Sequence, residues 1–146
     1  MTLSLTVADL LKNKGTQVWS LSPETSVREA LALMAQKNVG ALPVVSQGMI
    51  EGIFSERDFA RRAASPSFRI DENRVKDLMT RGVQCVSPKE NIERCMNLMT
   101  TKKIRHLPVL EDGVLTGIIS IGDVVNSLIT AQKENLDYLN TYINGR

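Results

Sequence analysis

The feature that most restricts what this chain can fold into is that it repeats itself. Residues 21–60 lie on residues 86–125 at a constant offset of 65 without a gap, and 13 of the 40 positions are identical. The identities fall on residues that set chain shape: Ser22-Pro23 and Ser87-Pro88, Leu42-Pro43-Val44 and Leu107-Pro108-Val109, Gly48 and Gly113, Gly52 and Gly117, Ser55 and Ser120, Asp58 and Asp123. Eleven of the other 27 pairs exchange one apolar residue for another, as in Val27/Ile92, Val39/Ile104 and Ile50/Leu115. Upstream, VADLL (7–11) resembles VKDLM (75–79) at an offset of 68, so a length difference of three residues lies between. A register that keeps its glycines and prolines implies one backbone design used twice.

Each copy reads as β-α-β-β-α. A short apolar strand opens it (Val18–Leu21; Val83–Val86), and Ser-Pro punctuates the chain. A helix follows, with Val27, Ala30, Leu31, Met34 and Ala35 on one face in the first copy and Ile92, Cys95, Met96 and Met99 in the second. Ser26 with Glu29 reads as a capping box. Two strands follow, Leu42–Ser46 with Met49–Phe54 and Leu107–Glu111 with Val114–Ile119, joined at Gln47-Gly48 and Asp112-Gly113. Asp-Gly is a favoured two-residue hairpin turn. A second helix starts after Ser55 and after Ser120. In the second copy it runs on to about Ile143, keeping Val125, Leu128, Ile129, Leu136, Leu139 and Ile143 at helical spacing. That face exceeds what one small unit covers and suits docking on a partner subunit. The expected fold is α+β. Two repeats (5–64 and 75–130) join through a connector (65–74), bury the exposed faces of three-stranded sheets about a pseudo-twofold axis, and carry a C-terminal extension (131–146). Such symmetry makes two equivalent crevices, ordinary places for small ligands.

Composition removes several alternatives. Lys plus Arg total 18 against 16 Asp plus Glu, a net charge of +2, which gives no argument for nucleic acid or an anionic membrane. Aromatics are 4%, too few for a surface that stacks single-stranded bases. No window reaches eighteen apolar residues, and no signal peptide is visible at the N-terminus. Cys85 and Cys95 stand ten apart and there is one His, so a His/Cys zinc site lacks ligands and no metal is expected. Both cysteines read as small core residues, and reduced thiols fit a cytoplasmic protein. No P-loop, G-x-G-x-x-G, G-x-S-x-G or Ser/His/Asp set is present, so no catalytic residue is assigned.

The stretches VGALPVVSQGMIEGIFSERD (39–58) and IRHLPVLEDGVLTGIISIGD (104–123) resemble the cystathionine-β-synthase (CBS) domain, here as a tandem pair or Bateman module. The resemblance covers about residues 5–130. It rests on an ordered set that occurs twice: S-P, h-x-x-h-P-V, G-h-h-x-G-h-h-S, then x-x-D. It implies a non-enzymatic module that binds adenosine-containing ligands such as AMP, ADP, ATP, NAD(H) or S-adenosylmethionine and regulates something else.

From the residues alone, Ser55-Glu56-Arg57-Asp58 and Ser120-Ile121-Gly122-Asp123 are ordinary helix openings, Ser at the N-cap and acid at N3, worth about 1 kcal/mol. The resemblance gives them a second use. Asp58 and Asp123 would accept from the two ribose hydroxyls. Ser55, Arg57 and Ser120 would face phosphate at the helix N-termini. Arg105 and His106, which stand where the first copy has Gly40-Ala41, would reach phosphate in the second site. Adenine would lie against the strand entries and opening strands: Thr16, Val18, Val39, Gly40, Ala41 and Pro43 in one copy, and Val83, Gln84, Ile104, Leu107, Pro108, Ile121 and Gly122 in the other. The apolar members also read as plain core, and Pro at a strand start also blunts an edge. Trp19 either lines a crevice or packs. The asymmetry at 105–106 implies two unequal sites. The expectation is a ligand-sensing homodimer acting on a protein partner in trans, with AMP or NAD(H) as effector. The alternative is a dimeric interaction scaffold with unoccupied pockets.

Overall fold

The computed structural model describes residues 5–15 and 17–143. Within them the order is α1 (Val7–Lys14), α2 (Val27–Lys37), β1 (Ala41–Ser46), β2 (Met49–Ser55), α3 (Glu56–Ala63), a 3-10 turn (Ile70–Glu72), α4 (Val75–Leu78), α5 (Ile92–Lys102), β3 (His106–Glu111), β4 (Val114–Ser120) and α6 (Ile121–Ile143). Thr16 lies outside the described residues, as do the side chains of Leu139 and Ile143.

The repeat is a structural repeat. β1 pairs antiparallel with β2 and β3 with β4, in matching registers, with a bulge at Val44/Val45 and another at Val109/Leu110. Both turns hold two residues at positive φ, Gln47 (52°) with Gly48 (78°) and Asp112 (53°) with Gly113 (80°). That conformation matches the twist of the flanking strands. Ser26 caps α2 by accepting from the Glu29 N–H, but Glu29 does not return the bond, so the box is half formed.

The expected opening strands shrink to single parallel bridges, Leu21 to Val44 and Val86 to Val109, so each sheet has two strands and not three. Proline explains this on both sides. Leu21 N–H donates to the Pro43 carbonyl (2.9 Å) and the Leu21 carbonyl accepts from Val45 N–H (2.8 Å). Extending that ladder toward Trp19 needs an N–H from Pro43, and extending it the other way needs one from Pro23; neither exists. Pro108 and Pro88 bracket Val86 in the same manner, with bonds of 3.0 and 2.9 Å.

The halves interlock by exchanging helices. One core joins Ile92, Cys95, Met99, Leu107, Val109, Ile119 and Val124 of the second copy to Val7, Leu10 and Leu11 of α1. The other joins Val27, Met34, Leu42, Val44 and Phe54 of the first copy to Val75, Leu78 and Met79 from α4 and its end. The main chain repeats the exchange: Val7 and Ala8 N–H donate to Glu90 and Pro88 carbonyls (2.9 and 2.8 Å), while Val75 and Lys76 donate to Thr25 and Pro23 (2.8 and 3.0 Å). The pseudo-twofold therefore makes two cores, each sealed by the segment that precedes the other repeat, where the sequence pattern suggested sheets facing across one core. Val7 and Val75 are fully buried, and each contributes about 1.5–3 kcal/mol from burial.

Two glycines lie where the halves meet, and only the first faces backbone. A Cβ on Gly52 would lie 2.6 Å from the Thr80 carbonyl oxygen, and one on Gly117 would lie 3.1 Å from Leu11 Cδ2. On α6, Val124 is buried and Leu128 packs on the second core, whereas Ile129 (58% exposed) and Leu136 (61%) face outward. Among the described residues, no helix is long and apolar enough to cross a membrane.

Candidate functional site

Both S-x-x-D segments open helices as capping boxes or near equivalents, and both carboxylates are half-buried. In the first copy Asp58 Oδ2 accepts from the Ser55 N–H (2.9 Å) and hydroxyl (3.0 Å), and Asp58 N–H donates back to Ser55 Oγ (3.1 Å). The Thr80 hydroxyl donates to Asp58 Oδ1 (3.0 Å). In the second copy Asp123 Oδ2 accepts from Ser120 N–H (2.8 Å) and from the Lys14 ammonium (2.5 Å), and Asp123 N–H donates to Ser120 Oγ (3.1 Å). Among the described residues nothing donates to Asp123 Oδ1.

Each helix start is tied to its strand entry. Glu56 N–H donates to the Gly40 carbonyl (3.0 Å) and Ile121 N–H to the Arg105 carbonyl (2.9 Å). Ala41 faces Ser55 across the hairpin, and His106 faces Ser120. The structure thus brings Gly40, Ala41, Ser55 and Asp58 together, and likewise Arg105, His106, Ser120, Ile121 and Asp123. Arg57 and Arg105 are exposed, and neither forms an ion pair among the described residues.

The adenine candidates divide. Ala41, Pro43, Leu107 and Pro108 are buried, with Leu107 wholly inside the second core, and the Pro43 and Pro108 carbonyls are taken by the parallel bridges. Val18, Val39, Gly40, Val83, Ile104 and Ile121 are half-buried, Val39 packing on the first core and Ile104 and Ile121 on the second, and Gln84 and Gly122 are exposed. Trp19 packs on the first core, with the Lys37 ammonium 4.5 Å from its ring centre. A groove of about 330 Å³ runs between α1 and α6 beside Asp9, Asn13, Lys14, Asp123, Asn126 and Glu134. A smaller hollow of about 220 Å³ lies where α1 meets Pro88 and Thr116. Of the residues singled out from the sequence, only Asp123 borders either hollow.

Charge differs between the copies. Burial pushes the Asp123 carboxyl up, but the Lys14 ammonium and the Ser120 N–H outweigh it and hold the group below its ordinary value. Burial, then the Lys14 charge, keeps His106 below its usual range, with Asp123 opposing and Arg105 adding to the effect. Burial raises both thiols, Cys95 to about 11, so neither is a ready nucleophile; Cys95 is core, while Cys85 is only half-buried. No cluster of metal-ligating side chains occurs among the described residues.

Lys14 and Thr80 were not visible as site residues in the sequence. The signal was the three-residue length difference. It gives α1 eight residues where α4 has four, and that extra turn carries Lys14 to the place Thr80 holds in the other half.

Two interlocked β-hairpin and helix repeats, each with a carboxylate at the helix start beside a strand entry, define a tandem-repeat module. The chain belongs to the CBS domain family, whose model matches residues 7–65 and 75–130. It is similar to the mitochondrial CBS domain-containing protein CBSX3 of Arabidopsis thaliana, at 38% identity over 97% of this chain and 73% of the relative. It is also similar to the CBS domain-containing protein YhcV of Bacillus subtilis (strain 168), at 37% identity over 75% of this chain and 77% of the relative. Among solved structures it resembles CBSX2 in complex with AMP, with a TM-score of 0.70 and 30% identity over 87% of this chain and 98% of that one.

Proposed function

We propose that this chain is a non-catalytic sensor that binds adenosine-containing nucleotides at the two helix starts and signals by a change in shape or association. The observation that carries the reading is the coupling, made twice, of a half-buried carboxylate at a helix N-terminus to a strand entry through Glu56–Gly40 and Ile121–Arg105. A carboxylate there accepts two cis hydroxyls, the first-turn amides favour an anion, and the half-buried apolar side chains at the strand entries suit a flat base. The AMP complex of CBSX2 supports the ligand class. In this reading Asp58 and Asp123 hold ribose; Ser55, Arg57, Ser120, Arg105 and His106 serve phosphate; and the strand-entry backbone at 39–41 and 104–106 meets adenine. Exposed Ile129 and Leu136 on α6 suit a second copy, so the working unit is a homodimer acting on a partner in trans. Signalling requires that the ligand bind two states unequally.

Calorimetric titration of AMP into wild type, Asp58→Asn and Asp123→Asn tests the reading. Each variant should lose one site and keep the other, because an N3 change alone costs only about a few tenths of a kcal/mol. Unaltered affinity and stoichiometry in both variants would refute the ribose assignment.

A further inference from the structure

The two carboxylates sit in the same fold position but have different partners. In the first half, Thr80 N–H donates to the Ile53 carbonyl (2.8 Å) while its hydroxyl donates to Asp58. In the second half the equivalent carbonyl, Ile118, and the equivalent carboxylate, Asp123, are both served by one group, the Lys14 ammonium (2.7 and 2.5 Å). A neutral main-chain amide plus a hydroxyl has been exchanged for a cation.

Around His106 this assembles Lys14, Arg105 and Asp123, whose charges all act on it. In the first half, Gly40 and Ala41 stand in place of Arg105 and His106, and Arg57 and Arg81 are exposed without touching Asp58. Asp123 is thus neutralised by Lys14 through Oδ2 while Oδ1 is left to accept a hydroxyl. Asp9 and Glu134 border the same groove, but Asp9 is tied to Thr6 as the cap of α1.

We infer that Lys14 is a specificity-determining residue that makes the second-repeat site select phosphorylated adenosine over the uncharged nucleoside. The first-repeat site, with Thr80 in that place, discriminates less. This inference rests on the function proposed above. The ammonium lies 2.5 Å from Asp123 Oδ2, so its charge acts on the phosphate of a ligand anchored on Asp123, with a screening length of about 8 Å at physiological salt.

The test uses the Asp58→Asn protein, in which the second site is isolated, titrated with AMP and with adenosine. Replacing Lys14 by Met keeps the apolar stem and removes the charge. It should weaken AMP about tenfold and leave adenosine within about twofold, as loss of one unit charge at partly screened range implies. Lys14→Arg should restore the preference. Equal loss for both ligands would reduce Lys14 to a structural role, and equal gain would make it a competitor for Asp123; either result, or an unmoved ratio, overturns the inference. If Lys14→Met fails to fold by thermal melting, Lys14→Gln is measured in its place with the same expectations. Binding of neither ligand by the parent would sink the proposed function as well, whereas binding with an unmoved ratio sinks this inference alone.

Discussion

Three glycines, Gly52, Gly117 and Gly122, should respond to the same substitution in three different ways. At Gly52 an added methyl would lie 2.6 Å from the Thr80 carbonyl oxygen and 3.0 Å from Met79 Sδ. The obstructing oxygen is backbone, so the segment after α4 must move. That movement breaks the paired Ile53–Thr80 bonds of 3.0 and 2.8 Å and withdraws the Thr80 hydroxyl from Asp58. Two main-chain bonds at about 1 kcal/mol each, plus overpacking, give a loss of about 2–4 kcal/mol for Gly52→Ala. At Gly117 the neighbours are Leu11 Cδ2 and Cδ1 at 3.1 and 3.2 Å, the end of a flexible side chain, so Gly117→Ala should cost about 1 kcal/mol or less. At Gly122 the nearest neighbour is Ser120 Oγ at 3.6 Å and the residue lies in α6, so Gly122→Ala should stabilise by about 0.5 kcal/mol through helix propensity. Urea unfolding at neutral pH reads all three. Gly52→Ala no more costly than Gly117→Ala would refute the docking of the Met79–Thr80 segment on β2.

Further outcomes follow from the exchange of helices and from charge. Val7→Ala should cost about 2 kcal/mol, and hydrogen exchange should locate the loss in α5 and the β3–β4 hairpin and not in α2, which follows α1 in sequence. Stability should fall as pH drops. The His106 folded pKa lies below its ordinary 6.5, so the unfolded chain takes up the proton first and stability declines just below that pH. The Asp123 folded pKa also lies below its ordinary value of 3.8, so its contribution is present above that value and is lost as pH falls through the folded pKa. His106→Gln should flatten only the upper part of the profile, as read by melting temperature against pH.

What the sequence disclosed was local. Helices α2 and α5, the two hairpins with their positive-φ turns, and the helix starts at Ser55 and Ser120 follow from periodicity, Gly placement and capping chemistry within a few residues. What it concealed depends on partners far along the chain. The destination of VADLL and VKDLM cannot be read from their own pattern, because an amphipathic turn fits either core. The opening strands looked apolar enough to pair, yet their length was decided by Pro43 and Pro108 on the strand they would join. Lys14 and Thr80 act on residues 109 and 22 positions away, and only the unequal spacing between the copies hinted at them.

Adenosine sensing is tested most directly by a thermal-shift panel of the wild-type chain with AMP, ADP, ATP, NAD, NADH and S-adenosylmethionine, with guanosine compounds as controls. A ligand present at one hundred times its Kd adds about 2.7 kcal/mol to the folded state. A sensor of adenosine ligands gives a clear upward shift with at least one phosphorylated adenine ligand and none with its guanine counterpart. No shift with any adenine ligand, or an equal shift with guanine and adenine, would contradict adenosine sensing and leave the dimeric scaffold as the function of these repeats.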